Sequence, residues 1–185
     1  RMLKRAFLGG LLSAGIDVLD LKSSPPSVLR YTLANDPNLV GGAHFKRCTL
    51  DSVSSEITLF NEEAIRVDNN SSKKIEKAFF TEQFRRVDYS RIGTIHEVVN
   101  REKCVTYRNA IEKKIDHGII KCGGFKVAVD VMHGSTSEIV PTLLNYLGVE
   151  NIILNAYYDE NKLSNIKTLE KKSASNISSI VKSLK

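Results

Sequence analysis

Apolar and polar positions along the chain predict helices and strands in alternation. Segment 2–14 repeats apolar residues at helical spacing, Gly15 predicts the end of that helix, and the short apolar run 16–21 predicts a strand. A second helix, with Pro25 as its expected first residue, precedes a predicted strand at 39–45. Alternation of this kind is typical of α/β proteins.

The middle of the chain contains one more strand, one more helix and an irregular stretch. The sequence EITLF at 56–60 alternates as a strand does. A helix around Ile75 follows, and Ser71 or Ser72 is its expected cap. Residues 82–97 show neither period, which predicts an irregular connection.

A second α/β unit is predicted from residue 99 onward. It contains, in chain order, a helix, a turn, a strand, a helix and a strand, at 104–115, 117–124, 125–131, 134–148 and 151–156. Ser135 and Glu138 have capping-box spacing, and Pro141 is expected to bend the following helix or to shift its start. This strand–helix–strand order predicts a right-handed βαβ unit with a parallel sheet.

The C-terminal part predicts a domain that stops before its last strand. Residues 161–175 are polar and predict a mobile loop, and apolar residues from Ile177 onward have helical spacing up to the last residues. We therefore predict two α/β units with mixed or parallel sheets, at 1–98 and 99–185, both truncated.

Composition and charge narrow the class of protein. The 185 residues are 42% hydrophobic, with no run that would span a membrane and no signal-peptide layout, so we expect a soluble, cytoplasmic protein. The net charge of +6 permits weak attraction to phosphate-bearing partners. Basic residues are mixed with acidic ones and no aromatic and basic platform stands out, which disfavours nucleic-acid binding.

The reactive side chains are few. Three cysteines, Cys48, Cys104 and Cys122, stand at wide spacings that indicate reduced thiols rather than a disulfide framework or a metal site. The turn at 133–135, which contains His133, Gly134 and Ser135, is either a weak anion-binding turn or the ordinary turn of a βαβ unit. The remaining histidines lack metal-ligand spacing and are expected in surface or core packing: His44, His96 and His117.

Six segments occur in an order that resembles the first two domains of the α-D-phosphohexomutases, the phosphomannomutase/phosphoglucomutase family. They are MLKRAFLGGLLSAGIDVLDL, SSPPSVLRYTL, GGAHF with EITLF, RRVDYSRIGTIHEV, FKVAVDVMHGSTSEIVPTLLNYLG and NIILNAYYDE. The resemblance covers essentially the whole chain and implies an α/β fold. It also implies that this chain is domain one without its first strand and domain two without its metal-binding end.

The resemblance places Cys48 where active members carry a phosphorylated serine, in a loop of the form Thr-Ala-Ser-His-Asn-Pro. In the same alignment Thr49, Leu50 and Asp51 replace the histidine, asparagine and proline, and Thr58 replaces a lysine of the next strand. Such enzymes transfer a phosphoryl group between enzyme serine and sugar phosphate, which requires positive charge around the transferring group. We therefore interpret Cys48 as a catalytic position that is inactive. A displaced phosphoserine at Ser52, Ser54 or Ser55 is the other reading, although loop serines are common turn formers.

The resemblance leaves two hypotheses for function. The first is a non-catalytic binding or assembly module of sugar-phosphate and carbohydrate metabolism, that is, a pseudoenzyme. The second is a fragment of an active but divergent phosphosugar mutase, an intramolecular phosphotransferase (isomerase) that uses Cys48 or a nearby serine. The family binds Mg²⁺ on an Asp-Gly-Asp-x-Asp-Arg loop that this chain lacks, so Mg²⁺ is expected only if the parent protein has that loop. Expected partners are the missing domains of the parent chain, a sugar phosphate and a second copy in a homodimer, with neither nucleic acid nor membrane.

Overall fold

The computed structural model describes residues 2–48, 54–98, 100–159, 162 and 166–183. The elements in these residues are α1 (Met2–Ser13), β1 (Val18–Asp20), α2 (Pro26–Asn35), β2 (Gly41–Arg47), β3 (Ser55–Asn61), α3 (Asn69–Phe80), β4 (Ile95–Glu97), α4 (Asn100–Glu112), α5 (His117–Cys122), β5 (Lys126–Asp130), α6 (Val140–Tyr146), β6 (Glu150–Leu154) and α7 (Ile166–Ser183). The predicted α/β class is confirmed.

The chain divides into two compact units. Unit 1 consists of Arg1–Lys22, Leu29–Lys46 and Glu56–Asn100. Unit 2 consists of Ser23–Val28, Arg47–Ser55 and Arg101–Lys185. The first turn of α2 therefore belongs to the second unit, although it lies early in the sequence.

Each unit contains a parallel strand pair. In unit 1, β1 pairs with β4 in the register that joins Val18 to Ile95 and Asp20 to Glu97. In unit 2, β5 pairs with β6 from Lys126 opposite Glu150 to the ends of both strands. A third two-stranded sheet is the β2–β3 hairpin. Because parallel strands end at the same edge of a sheet, each pair presents its carboxyl ends side by side.

Apolar packing stabilises each unit from within. Val28 is fully buried and packs with Cys104 and Ile139 in unit 2, and Tyr107 covers this cluster. Helix α6 packs on β6 and α7 packs on β5, so both strands of the parallel pair are covered by helices. In unit 1, a methyl group at Gly42 would come within 2.9 Å of the Leu29 side chain, so the backbone approaches α2 closely there.

Several boundaries were predicted correctly. Helix α1 ends before Gly15, which has a φ of 80°, and α6 ends before Gly148, which has a φ of 69°. Both angles lie in the left-handed region that glycine adopts at helix ends. Pro141 lies in the first turn of α6, and residues 135–138 form a separate 3-10 turn, so the expected shift of the helix start is confirmed.

Other predicted helix ends were wrong. Helix α2 begins at Pro26 rather than Pro25. The Pro25 carbonyl accepts the Val28 N–H, so Pro25 stands just before the first turn and not within it. The cap of α3 is Asp68, not Ser71 or Ser72, and its carboxylate accepts the Ser71 N–H at 2.8 Å. A carboxylate is a strong acceptor for the free N–H groups of a first turn. The cap residues are Gly134 for the 3-10 turn and Ile139 for α6, neither with a side-chain capping bond, so Ser135 is not a cap and the expected capping box of Ser135 and Glu138 is not found at either start.

Three segments differ in type from the prediction. Strand β4 lies inside the stretch 82–97 that we expected to be irregular, because it gains its hydrogen bonds from the distant β1. The expected turn at 117–124 is helix α5, capped by the Asp116 carboxylate. The expected loop at 161–175 is helical from Ile166 onward, while 161 and 163–165 lie outside the described residues. None of the described helices has the length and apolar content that crossing a membrane requires.

Candidate functional site

Cys48 lies at the end of strand β2, in the connection of the β2–β3 hairpin. Its side chain is half-buried, and its backbone N–H donates to the Ser54 carbonyl at 2.9 Å. Hairpin geometry therefore fixes the backbone at Cys48, as the alternating strands on both sides predict. Thr49, Leu50 and Asp51, which replace family loop residues in the alignment, lie outside the described residues, as does Ser52. Ser55 is exposed at the start of β3.

One positive charge close to Cys48 along β2, that of Lys46, is already paired. The Lys46 ammonium lies 3.2 Å from the Glu56 carboxylate across the hairpin. The hydroxyl of Thr58, at the position of the family lysine, is 3.4 Å from the other oxygen of Glu56. An acidic side chain and a neutral one thus stand where phosphoryl transfer calls for positive charge.

A second group of polar residues gathers at the carboxyl edge of β5 and β6. The Asp130 carboxylate accepts the Met132 N–H at 2.8 Å, the Asn155 amide at 2.9 Å and the Ser173 hydroxyl. Burial disfavours the charged form, but these hydrogen bonds and the charge of His133 outweigh it and lower the pKa of Asp130. Asp130 therefore joins both strands to helix α7.

The turn that follows Asp130 uses its own N–H groups. His133 is buried, and its Nδ1 donates to the Tyr157 carbonyl at 3.1 Å. The His133 N–H donates to the Asn155 carbonyl and the Gly134 N–H to the Val131 carbonyl. These N–H groups are engaged within the fold, which favours a structural turn over an anion-binding one.

A comparable charged group lies at the carboxyl edge of β1 and β4 in unit 1. Asp20 is 9% exposed and accepts the Lys4 ammonium at 2.6 Å and the Lys22 N–H at 2.7 Å. The Lys22 ammonium also pairs with Glu97. Burial raises the pKa of Asp20, but the hydrogen bonds and charges of both lysines outweigh it, so that the pKa is lowered.

The buried cysteine of unit 2 lines a cavity. The cavity has a volume of about 280 Å³ and is lined by Cys104, Val105, Arg108, Ser137, Glu138 and Thr142. Burial and the Glu138 charge raise the pKa of the Cys104 thiol. Because the thiolate is the nucleophilic form, the raised pKa disfavours a nucleophilic role for Cys104.

No group of three or more histidine, cysteine, aspartate or glutamate side chains is close enough together, among the described residues, to hold a metal ion. His96 Nε2 lies 3.0 Å from the Thr94 hydroxyl, and His117 Nε2 donates to the Tyr146 carbonyl at 2.6 Å. These two histidines therefore take part in local hydrogen bonding.

Comparison with known proteins identifies the fold and the family. No protein-family model matches the chain. A phosphoglucomutase/phosphomannomutase of Thermococcus kodakarensis is 30% identical over 158 residues, which is 85% of this chain and 34% of that protein. A phosphoglucosamine mutase of Dictyoglomus turgidum is 28% identical over 160 residues, again 85% of this chain and 34% of the relative. Over 85% of its length, the chain belongs to the phosphohexomutase family.

A solved structure agrees with this assignment at the level of the fold. The X-ray structure of a phosphoglucomutase/phosphomannomutase family protein from Burkholderia thailandensis superposes with a TM-score of 0.69 at 18% identity. It matches 86% of this chain, which covers 34% of the solved chain. The chain thus spans about a third of the length of these relatives.

The polar groups around Asp20 and around Asp130 were not predicted from the sequence. Asp20 and Asp130 are the last residues of β1 and β5 and lie inside the predicted strands 16–21 and 125–131, and an acidic residue near the carboxyl end of a parallel strand is a usable signal. The partners of these aspartates could not be predicted from a local signal, because Lys4 is 16 residues from Asp20 and Asn155 is 25 residues from Asp130.

Proposed function

We propose that this chain is a non-catalytic binding or assembly module of the phosphohexomutase family, in sugar-phosphate metabolism. The observation that carries this proposal is the Lys46–Glu56 pair, at 3.2 Å, beside the position where active members carry the phosphoserine. Cys48 occupies that position, and its lysine neighbour is neutralised across the hairpin.

The chemistry of phosphoryl transfer supports the non-catalytic assignment. The transferring group carries negative charge, which active sites balance with metal ions and basic side chains. A cysteine could replace serine as the carrier only as a thiolate, which requires nearby positive charge. Glu56 adds a carboxylate instead, and Thr58 supplies no charge where the family has lysine.

A second candidate is a fragment of an active but divergent phosphosugar mutase. Similarity across 85% of the chain to a protein named as phosphoglucomutase/phosphomannomutase favours it. Arg47 directly precedes Cys48 and brings a second basic residue to the hairpin. Under this alternative, Cys48, Ser52, Ser54 or Ser55 would carry the phosphoryl group, and Mg²⁺ would be held by an acidic loop of the parent protein.

The partners and location form part of the same proposal. We expect a cytoplasmic protein whose partners are the other domains of the phosphohexomutase fold. A sugar phosphate is the expected small ligand, and pairing with a second copy is the expected self-association.

A mutase assay on the longest native polypeptide that contains residues 41–60 tests the proposal. Mannose 1-phosphate and glucose 1-phosphate are supplied with Mg²⁺ and the corresponding bisphosphate, and product is followed by ³¹P NMR. We expect no turnover above the buffer background. Turnover that Cys48→Ala removes and the exposed control Cys122→Ala retains would establish the divergent mutase instead.

A further inference from the structure

Helix α3 and the turn after it present large apolar side chains to solvent. Ile75 is 46% exposed, Phe79 65%, Phe80 79% and Phe84 55%. We call these four residues the aromatic patch. All four lie in unit 1, and the rings of Phe79 and Phe80 meet edge to face with centroids 5.5 Å apart. Exposed apolar clusters of this kind mark interaction surfaces.

The patch stands on a well-formed helix, so its exposure does not reflect a frayed element. The Asp68 carboxylate caps the first turn by accepting hydrogen bonds from the Ser71 hydroxyl and N–H, and these two hydrogen bonds lower the pKa of Asp68. At the other end, the Thr81 N–H and hydroxyl both donate to the Lys77 carbonyl. Ile75 and Phe79 are four residues apart and therefore share one face of α3.

The surroundings of the patch are basic. The segment 73–86 contains five basic and two acidic side chains: Lys73, Lys74, Lys77, Arg85 and Arg86 against Glu76 and Glu82. Two copies that met through this face about a two-fold axis would bring the same basic rims together. Like charges oppose that pairing, so electrostatic complementarity favours an apolar partner with an acidic rim.

The length of the relatives indicates where such a partner comes from. This chain covers 34% of a Thermococcus kodakarensis relative and 34% of a solved phosphohexomutase-family chain. In a chain of that length, the remaining two-thirds would be available to contact the third represented here. An apolar face that no described residue of unit 1 covers is a natural place for this contact.

We propose that the aromatic patch is the docking surface for an acidic-rimmed, apolar polypeptide segment belonging to the part of the phosphohexomutase fold that this chain does not span. The inference rests on the family and on the exposed face, and not on whether the Cys48 hairpin is catalytic. The absence of catalysis at the hairpin and the protection of the aromatic patch can therefore be established or refuted separately.

Hydroxyl-radical footprinting read by mass spectrometry tests this proposal. The 185-residue chain and the longest native polypeptide that contains it are labelled side by side at low concentration. We expect labelling of Phe79, Phe80 and Phe84 to fall roughly fivefold in the longer polypeptide, because docked aromatic side chains become almost fully desolvated. Tyr89, which is 90% exposed and outside the patch, should remain labelled in both.

The other occupants appear as distinct outcomes. Equal labelling in both polypeptides, or a native polypeptide no longer than this chain with the patch still labelled, would overturn the proposal. Protection of the 185-residue chain that appears only at high concentration would assign the face to a second copy and also overturn it. Protection that requires vesicles with roughly 30% phosphatidylserine would assign it to an anionic lipid surface.

Substitutions separate docking from local stability. In the longer polypeptide, Phe79→Ser should lower the melting temperature by about 4 °C, because it removes an apolar anchor from the contact. Val40→Ser is the matched control, since Val40 is 76% exposed in the same unit and outside the patch. In the 185-residue chain both variants should melt with the parent. An equal loss in both lengths would show that Phe79 acts only within unit 1 and would contradict docking.

Discussion

The same aspartate turn occurs once in each unit of the molecule. Asp20 ends β1 and Asp130 ends β5, and each strand is one member of a parallel pair. Each carboxylate accepts the N–H two residues later, from Lys22 at 2.7 Å and from Met132 at 2.8 Å. Both of those residues have left-handed backbone, with φ of 54° and 48°. The carboxylate thus stabilises a backbone conformation that L-residues rarely adopt.

The two turns differ in what surrounds the carboxylate. Asp20 is held by the ammonium groups of Lys4 and Lys22, whose side chains are 32% and 39% exposed. Asp130 is held mainly by the neutral groups of Asn155 and Ser173. The same backbone turn is therefore stabilised by charge pairing at Asp20 and by neutral hydrogen-bond donors at Asp130. The two solutions should respond differently to mutation, acid and salt.

The largest expected effect follows removal of Asp130. Asp130→Ala deprives three donors of their acceptor, and Ser173, only 9% exposed, cannot recover the bond from water. We expect a loss of about 3 kcal/mol in the free energy of unfolding of unit 2, measured by hydrogen exchange of β5 and β6 peptides. Glu150→Ala is the control, because its pair with Lys126 is exposed and should change stability by less than about 0.5 kcal/mol.

Removal of Asp20 should cost less. In Asp20→Ala the partly exposed ammonium groups of Lys4 and Lys22 regain hydration, so we expect about 2 kcal/mol, read from exchange of β1 and β4 peptides. Asp88→Ala is the control in unit 1, because Asp88 pairs with Arg91 on the surface. A loss as large as that of Asp130→Ala would contradict the distinction between charge pairing and dipoles.

Acid should weaken both turns by less than the alanine substitutions do. The pKa of each aspartate is lowered in the folded state. The stability that each ionised carboxylate adds to its unit is therefore fully present above the unfolded pKa of about 3.9 and is lost as the pH falls through the folded pKa. A pH titration of hydrogen exchange should show this loss below about pH 4. Asp20→Asn and Asp130→Asn should each reduce the pH dependence of stability, read by hydrogen exchange, in its own unit only. An unchanged response would mean that other carboxylates dominate.

Salt should give the smallest effect and the sharpest contrast. Raising NaCl from about 0.05 M to 1 M screens the partly exposed lysines around Asp20 and should reduce the Asp20→Ala loss by roughly a third. The Asp130→Ala loss should not change, because neutral donors are not screened. Equal salt dependence of the two losses would show that His133, rather than the neutral donors, holds Asp130.

Local patterns predicted the fold where periodicity was strong, and failed where partners were distant. The apolar run of β5 and the glycine after α6 are local signals, and both were interpreted correctly. Strand β4 has three exposed residues and exists because β1 pairs with it. Helix α7 begins in polar sequence, and its Ser173 becomes buried only by packing at the edge of β5.

The candidate site was predictable in part for the same reason. Similar segment order located Cys48 in the hairpin connection, but the pairing of Lys46 with Glu56 depends on the register of the hairpin. The two aspartate turns needed partners from other elements, such as Lys4 of α1 for Asp20. Sequence alone therefore gave the position of the altered loop, whereas its electrostatics required the structure.

The central functional claim is that the Cys48 hairpin carries no phosphoryl group. Intact mass spectrometry and phosphopeptide mapping across residues 41–60 of the longest native polypeptide, purified from its host, test this most directly. We predict an unmodified hairpin, with Cys48 recovered as a free thiol. Phosphate on Cys48, Ser52, Ser54 or Ser55, removed on incubation with glucose 1-phosphate, would contradict the claim and establish a mutase with a rebuilt loop.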